Sequence, residues 1–289
     1  MERINIITPA STGYELLDSG GEEKLERFGD ITLLRPDPQA LWNKTQPTDV
    51  WQKADGRYER TGKEGTWHTR ADFPKDWPIE FGGLQLSIRP TSFKHTGLFP
   101  EQVSNWDWIR EAIAQRGGAP SVLNLFGYTG GASLAAAQAG ASVAHVDASK
   151  SAVEWARSNA ELSGLADKPI RWIIEDVMQF VGREVKRGNT YDAIIMDPPA
   201  FGHGPKNELW KIEEDLLPLI AQCKKLLSGK PLFLLINGYA AGYSPLALAY
   251  NLEDLVEKYK GTLEYGDLAI QQSNSERVLP SGIFARWKA

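Results

Sequence analysis

From Ser121 onward the chain alternates short apolar runs with stretches of helical spacing, and this alternation restricts the possible folds more than any other feature. In SVLNL, Val122, Leu123 and Leu125 have the apolar, partly β-branched character of a strand buried on both faces, and SVAHVD, IRWIIED, YDAIIMD and LFLLIN supply the next four strands. Strands separated by helices pair in parallel through right-handed crossovers, which predicts an open α/β sheet. TLEYGDLAI and GIFARW supply two further strands, so the expected sheet is seven-stranded and mostly parallel.

The ends of these strands carry the residues that could bind something. SVLNLFGYTGG brings Gly127, Gly130 and Gly131 together at the first strand-to-helix junction. A backbone without Cβ atoms can approach a ligand closely, and the helix from Ala132 to Ala139 would point its amides at that ligand. The alternative is that the glycines only shape the turn. Asp147, Asp176 and Asp197 close successive strands, and in open α/β sheets ligands bind outside those ends. Asp147 is placed to accept both hydroxyls of a ribose, and Asp176 to accept from an adenine amino group. The run Asp197-Pro198-Pro199-Ala200-Phe201 is the most specific of all. Two prolines fix the backbone and remove two donors, leaving carbonyl acceptors beside a carboxylate, with Phe201 available to stack on a ring.

Before this region the texture differs. Residues 1–90 hold Trp42, Trp51, Trp67 and Trp77 among Gly and Pro punctuators and short alternating segments, which predicts a small β-rich subdomain. The tryptophans are read as the core of a small β layer rather than as a base-stacking surface. The domain with the α/β sheet is expected over 91–289. A helix near Ser92–Arg116 is expected to start at an Asn105 cap, and the KHTGLFPEQ loop before it offers Lys94, His95 and Gln102 at the mouth of the sheet. Ser149 is the expected cap of the helix after the second strand. Later helices are expected over Leu209–Leu227 and Leu246–Tyr259.

Composition excludes several function classes. With one cysteine and four histidines, no cysteine-built zinc site and no intramolecular disulfide is possible, and a metal centre is not expected. A net charge of −5 provides no bulk field for a polyanion, so RNA would have to meet local cations such as Lys94, Lys206 and Lys211. No apolar stretch is long enough to span a bilayer and no signal region is visible, so a cytoplasmic protein is expected.

The glycine loop, HVDASKSAVEWARSNAELSGL, EDVMQFV and MDPPAFG together resemble the class I S-adenosylmethionine-dependent methyltransferases. More narrowly they are similar to the Asp-Pro-Pro-x-Phe branch of bacterial ribosomal RNA large-subunit methyltransferases. The resemblance implies a Rossmann-like methyltransferase sheet whose last two strands form a hairpin, a cofactor S-adenosyl-L-methionine and an RNA base as acceptor. It places Phe126, Gly127, Tyr128, Thr129 and Gly130 along the methionine part of the cofactor. Asp147 is placed on the ribose, Asp176 and the Val177 backbone on the adenine, and Asp197, Pro198 and Phe201 against the substrate, with Lys94 and Gln102 as further substrate contacts.

Two departures shape the expected chemistry. Relatives that methylate cytosine at C5 carry a nucleophilic cysteine after the fifth strand, whereas LLINGYAAGYS has none, and Cys223 falls within the preceding helix. Transfer to a nitrogen or oxygen acceptor is therefore expected. The branch's arginine-containing loop is also altered, reading GLFPEQVSNW. A nicotinamide-dependent oxidoreductase would share the glycine loop and Asp147, but the glycine spacing is irregular for it and hydride transfer gives Asp-Pro-Pro no role. A non-catalytic RNA- or protein-binding scaffold is the other alternative, and the retained aspartates argue against it.

Overall fold

The computed structural model describes every residue except Gly62, Lys63, Ala240, Ala241 and Asn274. The two alanines belong to the LLINGYAAGYS stretch, so that part of the loop lies outside the described residues. The chain divides into two compact units that are both discontinuous in sequence. One comprises Met1–Ile6, Ser104–Leu268 and Gly282–Ala289; the other comprises Ile7–Val103 and Ala269–Ser281.

A large sheet has most of its residues in the first unit. Its strands are β1 (Ser121–Leu125), β2 (Ser142–Asp147), β3 (Ile170–Ile174), β4 (Ala193–Met196), β5 (Phe233–Gly238), β6 (Thr262–Gln271) and β7 (Val278–Lys288). They lie in the order β6-β7-β5-β4-β1-β2-β3. The β1, β2, β3, β4 and β5 strands pair in parallel, and β7 runs antiparallel to β5. The sheet has nine strands rather than seven, because the short segments Glu2–Arg3 and Ile6–Thr8 both pair with β6. Two- and three-residue strands leave no pattern in sequence, which is why neither is legible there.

The central parallel strands β1, β4 and β5 are mostly apolar because both of their faces are covered. Leu123, Leu125, Ile194, Met196, Leu234 and Ile236 face a core that includes Phe180, Val181, Leu216, Leu219 and Ile220. The alternate residues Val122, Val143, Ala193, Ile195, Phe233 and Leu235 face a second core with Ile109, Ile113, Ala136 and Ala137. The helices concerned are α1 (Val103–Arg116), α2 (Gly131–Gln138), α3 (Lys150–Leu162), α4 (Val177–Arg187) and α5 (Ile212–Lys225). Small side chains on α2, with Ala135, Ala136 and Ala137 all fully buried, let its backbone lie close to the sheet. Ser149 caps α3 by accepting from the Ala152 amide, as its sequence position predicts.

Three local expectations are corrected. Asn105 does not cap α1; it lies inside the helix, buried, donating to Asn237 Oδ1 at 3.1 Å and accepting from Arg286 Nη1 at 3.2 Å. The helix expected from Leu209 starts only at Ile212, because Leu209–Lys211 pairs antiparallel with Phe201–His203 as a small hairpin. The helix expected over Leu246–Tyr259 is two helices, Pro245–Tyr250 and Glu253–Tyr259.

In the second unit the strands Tyr14–Gly20, Glu23–Phe28, Ile31–Pro36, Gly56–Thr61 and Glu64–Thr69 form one sheet in that order. Trp77–Phe81 pairs with Leu84–Ile88 in a second. The indole N–H of each early tryptophan is used within this unit: Trp42 donates to Ser19 O, Trp51 to Asp18 Oδ2, Trp67 to Thr91 O and Trp77 to Phe28 O. Rings whose polar tips are tied to protein groups act as packing elements. No helix among the described residues is long and apolar enough to cross a membrane.

Candidate active site

The strand order turns back between β1 and β4, and that reversal opens a crevice at the carboxyl edge of the sheet. The register sets Leu125 beside Val146 and Met196, and Asp147 beside Ile174. The glycine loop, Asp147, Asp176 and Asp197 therefore leave neighbouring strands at the same edge. The Asp197 amide donates to Leu125 O at 3.3 Å, which ties the start of the Pro-Pro segment to the end of β1.

The loop from Phe126 to Gly130 is held in a costly conformation. Phe126 and Tyr128 both take left-handed backbone angles, with φ of 56° and 47°, although neither is glycine. Each non-glycine residue in that region costs on the order of 1 kcal/mol or more, so the surroundings must impose it. They do so from β2: Gly127 N donates to Val146 O at 3.1 Å, and Tyr128 N donates to Asp147 Oδ2 at 2.8 Å. The glycines serve protein packing as well as turning. At Gly130, φ is +91° where α2 begins. A Cβ on Gly131 would stand 2.2 Å from the Trp106 ring, and one on Gly127 would stand 2.4 Å from the His145 ring. Thr129 is buried, and its carbonyl accepts from Asn159 Nδ2 at 2.9 Å.

Asp147 accepts from two backbone amides, Tyr128 through Oδ2 and Ser149 through Oδ1, both at 2.8 Å. Burial raises its pKa, and those two amides oppose the rise. Each oxygen keeps a lone pair for a further donor. Asp176 is the N-cap of α4 and accepts from Gln179 N through Oδ1 at 2.9 Å. Burial raises this carboxyl too, again against the pull of helix amides, and Glu208 adds to the rise. The side chain of Val177 is buried beneath it.

On the acceptor side, Pro198 is buried, while Phe201 is 57% exposed on the hairpin and its ring lies 5.1 Å from that of His203. The Pro199 carbonyl does not point freely outward: it accepts from Trp210 Nε1 at 2.7 Å, and the Trp210 ring packs 4.9 Å from Phe126. A single buried tryptophan thus touches both the glycine loop and the Pro-Pro segment. Cys223 is fully buried in α5, and burial pushes its thiol well above the ordinary range.

Lys94 and Gln102 belong to the second unit. Lys94 has a φ of 65°, its Nζ donates to Pro36 O at 3.3 Å, and its carbonyl accepts from Arg35. Burial, with Lys24 and Arg35 nearby, lowers its pKa. Gln102 is buried in the 3-10 turn Pro100–Gln102. Sequence reading overlooked Trp210, His145, Ser133 and Asn124. Asn124 and His145 did leave a signal, since each is polar in an otherwise apolar buried strand. Among the described residues, no group of three or more His, Cys, Asp or Glu side chains is arranged to hold a metal ion.

The model of the S-adenosylmethionine-dependent methyltransferase family matches residues 32–251. This chain belongs to that family. A solved S-adenosylmethionine-dependent methyltransferase from Agrobacterium tumefaciens has 38% sequence identity and a TM-score of 0.94, covering 99% of this chain and 95% of its own. The chain is also 28% identical over 237 residues to ribosomal RNA large subunit methyltransferase K of Neisseria meningitidis. It is 36% identical over 209 residues to ribosomal RNA large subunit methyltransferase K/L of Shewanella baltica. These matches cover 82% and 70% of this chain but 60% and 27% of the relatives. The enzyme's cofactor is therefore S-adenosyl-L-methionine. The residues at the sheet edge fit it in acceptor character, with a partly buried carboxylate for a diol, a second for an exocyclic amine and a close-packed loop beside them.

Proposed function

We propose that this methyltransferase acts in the cytoplasm on RNA, with a ribosomal RNA base as acceptor, and transfers the methyl group to nitrogen or oxygen. The carrying observation is the acceptor edge: Asp197-Pro198-Pro199 leads directly into an exposed Phe201, while the one cysteine is buried in α5 with a raised pKa. A buried thiol of that kind cannot form the covalent adduct that C5 chemistry requires. The names of the Neisseria and Shewanella relatives support an RNA acceptor.

The cofactor supplies an electrophilic methyl group on a sulfonium. Asp147 would hold its ribose, Asp176 and the Val177 backbone its adenine, and Phe126–Gly130 its methionine end. Asp197 would accept from an acceptor N–H or O–H, orienting its lone pair toward the methyl, and Phe201 would stack on the ring that carries it. Catalysis of this kind rests on positioning, because an amine can lose its proton after transfer. Lys206 and Lys211 are the nearby cations for phosphate, although Lys211 already pairs with Glu214 at 2.7 Å.

The test is incorporation of labelled methyl from S-adenosylmethionine into large-subunit RNA, followed by nucleoside mass spectrometry. RNA labelling with no protein–RNA adduct on 5-fluoropyrimidine substrate is expected, and Asp197→Ala should lower kcat by about 100-fold or more with cofactor affinity within about threefold. Label found only in protein, or a stable adduct, overturns the reading.

A further inference from the structure

Gly127 is the one glycine of the cofactor loop whose backbone does not need a glycine, since its φ lies outside the left-handed region while both neighbours lie inside it. The space that a side chain would take is filled by protein. A Cβ there would meet His145 Cε1 at 2.4 Å, Nδ1 at 2.5 Å and Nε2 at 3.1 Å. Fully buried side chains of this kind cannot shift without displacing a close-packed core.

The imidazole is fixed on its other sides. Its Nδ1 lies 2.9 Å from Ser133 Oγ, which accepts from Asn124 Nδ2 at 2.8 Å, and its ring meets that of Trp172 edge-on at 4.9 Å. Ser133 Oγ accepts from Asn124 and keeps both a hydrogen and a second lone pair, so it partners Nδ1 in either tautomer of the neutral imidazole. The ring's Nε2 is buried and has no hydrogen-bond partner among the described residues. Burial also keeps the ring neutral, with a pKa lowered to about 3. On the same strand, Val146 O takes the Gly127 amide and Asp147 takes the Tyr128 amide.

We infer that His145 is a positioning residue: its neutral imidazole is the floor on which Phe126, Gly127 and Tyr128 take their cofactor-binding conformation, and residue 127 is glycine to admit that ring. The inference rests on the reading of this loop as the methionine-end site. His145 acts through the loop it packs against. Keeping an unsatisfied Nε2 in the core is then the cost of a rigid, uncharged floor beneath a site that must receive a cationic sulfonium.

A double-mutant cycle on the full chain tests this, read as the dissociation constant for S-adenosylmethionine by calorimetry, with Tm recorded in parallel. Gly127→Ala should weaken binding by about 30-fold, and His145→Ala by about tenfold as the loop loses its floor. In the double variant the methyl introduced at position 127 enters the vacated space, so it should bind tighter than Gly127→Ala alone and far tighter than the product of the two losses. Ser133→Ala, a milder change that should fold in any case, should raise the cofactor KM by about threefold or more beyond anything its change in Tm implies. Wild-type affinity in Gly127→Ala, multiplicative losses in the double variant, or an unmoved KM in Ser133→Ala overturns the inference. Asp147→Ala separates the two readings. If it abolishes cofactor binding while the cycle fails, only the role of His145 falls; if it leaves binding intact, the placement of the cofactor falls with it.

Discussion

Two buried polar clusters, one in each compact unit, are of opposite kinds. In the unit containing the early strands, Glu26 is fully buried and accepts from Tyr14 Oη at 2.8 Å and Arg35 Nε at 2.7 Å, with Lys24 3.4 Å away. Burial alone would raise the Glu26 pKa, but Arg35 and Lys24 hold it below its ordinary value. Beneath the cofactor loop, by contrast, Asn124, Ser133 and His145 make a chain of neutral groups. An ionic cluster draws much of its strength from completeness, since removing one partner strands a buried charge. A neutral chain loses less with each member, and it leaves the field at the crevice to the strand-end carboxylates.

The largest way to break this contrast is Glu26→Gln, which leaves Arg35 facing an amide. A loss of about 3–5 kcal/mol is expected in chemical denaturation, against about 1 kcal/mol for Tyr14→Phe. Equal losses in the two variants would mean that the ion pair adds nothing beyond hydrogen bonding.

Glu101 sharpens the contrast within one unit. It is buried like Glu26, yet burial raises its pKa to about 7, with Lys24 and Arg35 only partly offsetting the rise. The folded state thus binds a proton that the unfolded chain releases near pH 4.5, so this group's contribution is largest at low pH and is lost as pH rises through about 7. Glu101→Gln should therefore stabilise the protein at pH 8 by about 2–3 kcal/mol and by much less at pH 5. A Tm difference independent of pH would show that the carboxyl does not titrate in this range.

The smallest effect belongs to the exposed side of the crevice. Asp176→Ala removes the α4 cap and should cost about 1 kcal/mol of stability, together with a cofactor-affinity loss that Asp176→Asn largely restores if capping is what matters. Failure of Asn to restore affinity would assign the charge to the cofactor.

The parts of the molecule legible in sequence are those fixed by local pattern. Double-sided burial made β1, β4 and β5 visible as apolar runs, β2 and β3 showed as apolar runs beside them, and the acids after β2, β3 and β4 located the crevice. The hairpin Phe201–His203 with Leu209–Lys211 was not visible, because its buried Trp210 continues the apolar spacing of α5. The reason for glycine at 127 and 131 was also hidden: it lies in His145 and Trp106, which only the folded chain brings there. The Pro199 carbonyl looked available in sequence and is instead taken by Trp210.

The pairing of Glu2–Arg3 with β6 carries a consequence for biosynthesis. Glu2 lies opposite Glu264, Ile4 N donates to Tyr265 O, and Arg3 reaches Asp267 across 264 positions of chain. At ribosomal speeds of about 5–20 residues per second, that separation means a wait of more than about ten seconds before the segment can meet its partner strand. Until then its backbone donors and acceptors stay exposed, and the edge of the catalytic sheet is completed only after β6 has emerged.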